Sequence, residues 1–124
     1  MTFNCSEYLN LARELAGKST AASSEEAKLR SAISRAYYAA FIQARNLLRD
    51  RDNLTIPRDK AHKYVIEQFQ NSVDDKRRKL GEKLQRLRDF RNQADYNDTF
   101  PKVAAKTEEA LGLARRIILG ISNL

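Results

Sequence analysis

The stretch from Ser24 to Arg51 constrains the fold most. Leu29, Ile33, Ala36, Tyr37, Ala40, Phe41, Ala44, Leu47 and Leu48 recur there at helical spacing. At 3.6 residues per turn they cover about half of a helix circumference, wider than the single stripe a surface helix needs. A helix this apolar must pack against several neighbours at once. Ala32, Ala36, Ala39, Ala40 and Ala44 allow those neighbours close. Tyr37 and Tyr38 are adjacent and so point about 100° apart, Tyr37 within the apolar face and Tyr38 at its edge. Both suit core or interface aromatics whose hydroxyls find one partner; Tyr38 also suits a place beside Arg91.

The rest of the chain reads as helices that could surround this one. No segment alternates with period two, and four Gly and two Pro in 124 residues leave long uninterrupted elements. The first helix is expected from a cap at Asn4 or Ser6 to a stop at Gly17, with Tyr8, Leu9, Ala12, Leu15 and Ala16 on one face. Lys18 to Ala22 connects, and Ser23 with Glu26 has the spacing of a capping box. Pro57 breaks the chain after the central helix. A third helix follows from about Arg58 to Asn71, with Ala61, Val65, Ile66 and Phe69 inward and His62 at the edge. Ser72 to Asp75 supplies a turn and an acidic cap for a fourth helix. Gly81 within it costs about 1 kcal/mol relative to alanine, which suggests a close contact or a helix end there. Asn97, Asp98 and Thr99 end it, and Pro101 suits the first turn of a fifth. Val103, Ala110, Leu111, Ala114, Ile117, Ile118 and Ile121 stripe that last helix. The expectation is one all-α domain over residues 1–124, a four- to five-helix bundle of mostly antiparallel neighbours.

In the fourth helix, Leu80, Leu84, Leu87, Arg91 and Ala94 share one face. Arginine is rarely buried without a partner, so Arg91 marks a cleft, an interface or a carboxylate. Asp95, four residues on, offers an ordinary intrahelical ion pair worth a few tenths of a kcal/mol. The formal net charge is +7. Lys76, Arg77, Arg78, Lys79, Lys83, Arg86, Arg88 and Arg91 stand against only Glu82 and Asp89, so nearly the whole excess sits on this one element. Lys79, Lys83 and Arg86 fall on one side of it, Arg77 and Arg88 on another. Such a run is either a solvated face or a surface that tracks phosphates.

Other chemistries find little support. Cys5 is the single cysteine, and so excludes an internal disulfide and suits a reducing compartment. Beside no cationic cluster it reads as an inert thiol. With one histidine and no paired cysteines, a zinc or transition-metal site is not expected, and no cofactor is implied. The opening MTFNCSEYLN has no basic segment leading into an apolar run, and no stretch is apolar enough to span a membrane. A cytoplasmic protein is expected.

Three blocks together, LRSAISRAYYAAF, AHKYVIEQF and LRDFRNQADYND, resemble the HEPN domain, and most closely its small prokaryotic members with an R-N-x-A-D-Y segment. The resemblance implies a helical bundle that pairs as a homodimer, with the arginine-bearing helix ends of two protomers meeting in a basic cleft. It further implies action on RNA, as a metal-independent endoribonuclease or toxin of a toxin–antitoxin or anti-phage defence system. The alternative is a non-catalytic module that binds nucleotide, RNA or a partner protein such as a nucleotidyltransferase antitoxin. Arg91 and Asn92 match the first half of the family's signature. The positions where that signature carries its histidine hold Tyr96, Asn97 and Asp98. By this resemblance the catalytic candidates are Arg91, Asn92 and Tyr96, with Tyr38, His62 and Asp95 lining the cleft and Lys79, Lys83, Arg86 and Arg88 holding nucleic acid. Arg91 suits a bidentate phosphate clamp, and Asn92 adds a donor. Tyr96, with an ordinary pKa near 10, is a weak base at neutral pH, though it can hold a proton or stack on a nucleobase. His62 enters only if the fold brings it towards Arg91.

Overall fold

The computed structural model describes Phe3, residues 6–18 and residues 24–124. Five helices form: α1 (Ser6–Leu15), α2 (Glu25–Asp50), α3 (Ala61–Gln70), α4 (Asp75–Tyr96) and α5 (Val103–Ser122). There is no strand among the described residues, and the architecture is an all-α bundle around α2. Eight of the nine α2 positions expected inward are buried, Leu29 being partly exposed. One continuous apolar cluster joins them to Val65, Ile66 and Phe69 of α3, Leu80, Leu84, Leu87, Phe90 and Ala94 of α4, and the inner face of α5.

The directions follow from the pairs that meet. Arg77 of α4 meets Asp52 just beyond α2, while Arg30 near the start of α2 meets Ala94 near the end of α4, so these two helices run antiparallel. Thr107 reaches Leu29 and Arg51 reaches Leu124, so α2 and α5, which share the most extensive helix interface, run parallel. At Gly81 a Cβ would stand 2.7 Å from the backbone nitrogen of Gln70. The glycine expected to weaken α4 is therefore what lets the end of α3 lie against it.

Several local expectations change. On α1, Leu11 is the buried residue, while Leu9 and Leu15 are exposed: α1 turns a different side to α2 than its leucine spacing suggested. Gly17, at φ +70°, ends α1 as expected, with Lys18 N–H donating to the Arg13 carbonyl and Gly17 N–H to that of Glu14. The α2 cap is Ser24, which accepts from Ala27 N–H. Ser23, like Asn4 and Cys5, lies outside the described residues. α3 begins at Ala61 rather than near Arg58, after Lys60 in left-handed backbone. Pro101 likewise precedes α5 instead of opening it, because Lys102 at φ 58° turns the chain first. Leu111 on α5 is exposed, and its expected place inward goes to Leu113. Asp74 caps α4, accepting from Arg77 N–H, within the acidic turn expected there.

Candidate functional site

The last two turns of α4 are held by a buried arginine from another helix. Arg30 is 1% exposed, and its Nη1 donates to the carbonyls of Ala94 at 2.9 Å and Asn97 at 2.7 Å. These belong to the group of carbonyls a helix leaves unpaired at its C-terminus, where the helix dipole also favours a cation. Phe3 covers the guanidinium at 4.4 Å and Phe100 lies 5.7 Å away, with Glu26 Oε2 3.3 Å from Nε as counter-ion. The end of α4, which carries Arg91, Asn92 and Tyr96, thus has a fixed place.

Arg91 projects from that end towards α2. Its side chain is 14% exposed. Nε donates to Asp95 Oδ2 at 2.8 Å and Nη2 to the Tyr38 hydroxyl at 2.6 Å, with Asn92 Oδ1 at 3.4 Å from Nη1. Ser34 donates to the same Asp95 oxygen at 3.3 Å. The rings of Tyr38, Tyr96 and Tyr37 lie 5.1, 5.6 and 5.7 Å from the guanidinium carbon. The Arg91–Asp95 pair exists, yet it holds only one edge of the guanidinium. Three of its five N–H groups are engaged, and two have no acceptor among the described residues.

His62 stands behind the two α2 tyrosines. Its Nδ1 is 2.6 Å from the Tyr37 hydroxyl and its ring stacks on Phe41 at 4.1 Å. Tyr38 meets the same ring edge-on at 5.8 Å. Burial holds the imidazole below its ordinary pKa, and the positive charges of Arg88 and Arg91 push the same way, so it is neutral at pH 7. Burial also pushes the Tyr37 phenol up to about 12, outweighing the opposite pull of the two arginines. His62 therefore shares Tyr37 and Tyr38 with Arg91, and no hydrogen bond joins the two directly among the described residues.

The remaining candidates divide. Tyr96 is 70% exposed at the rim. Arg88 faces the Tyr37 and His62 side, its Nε buried and without an acceptor among the described residues. Arg86 is tied to Glu109 of α5 and lies over Phe90. Lys79 and Lys83 line a cavity against α5. The four residues expected to hold nucleic acid thus lie on two flanks of α4.

One part of the site is absent from the sequence-based expectations. A cavity of about 400 Å³ beside Asp95 and Tyr96 is lined by Ser31, Ser34 and Arg35 of α2. With Tyr38 these occupy positions i, i+3, i+4 and i+7, a polar stripe next to the apolar arc and legible at the same period. Arg35 adds a second cation, and the serine and tyrosine hydroxyls add donors. Among the described residues no group of three His, Cys, Asp or Glu side chains could hold a metal ion. No described helix is long and apolar enough to cross a membrane.

The chain is thus an all-α bundle with arginine, asparagine and tyrosine at the end of its fourth helix. The HEPN domain family matches residues 6–123, and the chain belongs to that family. No curated protein and no solved structure gives a match.

Proposed function

We propose that this HEPN protein acts on RNA in the cytoplasm, as a metal-independent endoribonuclease or toxin of a toxin–antitoxin or defence system. Its site is a homodimer cleft formed where two Arg91 helix ends meet. The observation that carries the reading is the setting of Arg91. The guanidinium is fixed by Asp95, Tyr38 and Asn92 beside a cavity that also presents Arg35 and several hydroxyls.

In such a cleft Arg91 grips the scissile phosphate and stabilises charge as the 2′-oxygen loses its proton to water and bonds phosphorus while the bond to the 5′-oxygen breaks, with Asn92 donating to the same group. Tyr96 holds a proton near the leaving oxygen or stacks on a base. The test is cleavage of single-stranded RNA in EDTA, with dimerisation followed by sedimentation. Arg91→Ala is expected to lower the rate about 100-fold or more. An unchanged rate in that variant, or no cleavage by the wild type, overturns the catalytic reading.

A second reading has its own support. His62 lies behind tyrosine rings, and Arg91 donates its hydrogen bonds to a carboxylate, an amide oxygen and a phenol. This favours a module that binds RNA, nucleotide or a nucleotidyltransferase antitoxin without cutting. RNA bound tightly but left intact, with binding lost in Arg91→Ala, is its signature.

A further inference from the structure

The opposite flank of α4 carries a feature that the Arg91 site does not use. Lys76, Lys79 and Lys83 of α4 and Arg116 of α5 surround a groove of about 250 Å³ whose floor is Leu80 and Gly120. Gly120 brings the α5 backbone so close that an added Cβ would stand 2.6 Å from Leu80 Cδ2. The two helices therefore meet tightly beneath the charges. No carboxylate lines the groove. Asp75 at its end bonds Lys79 at 3.2 Å, and four cations less this one anion leave +3. Lys76, Lys83 and Arg116 form no ion pair among the described residues.

Like charges three and four residues apart on a helix repel, each pair costing a few tenths of a kcal/mol. Lys76, Lys79 and Lys83 accept two such penalties and face a fourth cation across the groove. A polyanion laid along it would remove the repulsion and release its own counterions.

We propose that the α4–α5 groove binds the phosphodiester backbone of single-stranded RNA as a second subsite that extends from the Arg91 end. This rests on the reading above that the protein acts on RNA, and it names where the strand runs. At 1.5 Å per residue along α4, Lys83 lies about 12 Å and Lys76 about 22 Å from Arg91. One strand advances about 3.4 Å per nucleotide. A trinucleotide therefore reaches only one site, whereas about twelve nucleotides span both.

The experiment measures affinity and its salt dependence for a labelled trinucleotide and a 12-nucleotide RNA. The combined variant Lys76→Gln, Lys83→Gln and Arg116→Gln is expected to bind the longer RNA about tenfold or more weakly. Its log Kd against log salt should flatten by about 2, at about 0.7 for each phosphate no longer neutralised. Trinucleotide binding stays as in the wild type. Asp75→Asn, which frees Lys79, moves the slope the other way, a gain that no folding defect imitates. Arg91→Ala loses the trinucleotide and keeps most of the slope on the longer strand. Wild-type affinity and slope in the combined variant overturn the groove while leaving the Arg91 reading intact. An Arg91→Ala protein that binds both RNAs normally overturns that reading and leaves the groove. Absence of any binding to the longer RNA, or equal affinity for poly-glutamate, also overturns the proposal.

Discussion

Arg30 and Arg91 are both arginines set into apolar faces, and their surroundings make them different devices. Arg30 spends its hydrogen bonds on backbone carbonyls of α4 and is sealed by phenylalanine rings. Arg91 is held by side chains only, by a carboxylate, an amide and a phenol, and keeps one edge towards solvent. A cation with backbone partners positions a chain. One with side-chain partners and open N–H groups can exchange them for a ligand. Burial alone therefore does not tell an arginine that fixes backbone from one whose N–H groups can be exchanged; the identity of its acceptors does.

The comparison breaks first at Arg30. Arg30→Met removes the donor for two carbonyls and strands Glu26, and is expected to destabilise by about 3 kcal/mol or more, read by urea unfolding. Arg91→Ala, by contrast, should cost no more than about 1 kcal/mol. Equal losses would erase the distinction. Next comes Gly81→Ala, which sharpens it by testing a second fixed point of α4. Alanine would gain about 1 kcal/mol in an open helix. Here its Cβ meets the Gln70 backbone, so a net loss of about 1–3 kcal/mol is expected, seen as a lowered Tm.

The third prediction concerns pH. His62 has a folded pKa below its ordinary 6.5, so the unfolded chain binds more protons between the two values. Stability is therefore full above about pH 6.5 and falls as the pH drops towards the folded pKa. Unfolding midpoints taken from pH 7.5 to 5.5 should decline in the wild type and stay flatter in His62→Gln. Smallest is Asp95→Asn, expected to cost about 0.5 kcal/mol. It removes the negative charge that competes with a phosphate for Arg91 while leaving Arg30 untouched, so RNA affinity should rise as stability slips, in a binding titration paired with unfolding.

The bundle was legible in the sequence because its signals are local. Leucines 80, 84 and 87 and the α2 arc declare their inward faces by spacing alone, and Gly17 ends α1 in the way its residue type requires. α1 misled because Leu9, Leu11 and Leu15 are chemically alike, and only packing against α2 selects Leu11. Arg91 stood out as a charge in a leucine stripe, but Arg30 did not. Its acceptors lie 64 and 67 residues away, and nothing in its neighbourhood announces them. The Tyr38–Arg91 bond joins positions 53 apart, so a place for Tyr38 beside Arg91 stayed one of two readings until the helices were packed. The split of the basic run between two flanks was partly visible in its spacing. What spacing could not supply was Glu109 holding Arg86, or Arg116 facing Lys83.

The parallel course of α2 and α5 bears on the order in which this chain acquires structure. Thr107 and Leu29 are separated by 78 positions, whereas the α3–α4 hairpin closes within a few residues. Short-range closure is fast and long-range closure slow. The hairpin can therefore assemble early and cover part of α2, while the part of the apolar side of α2 that meets α5 stays uncovered until α5 has emerged from the ribosome. During synthesis that side is the surface a chaperone would have to shield.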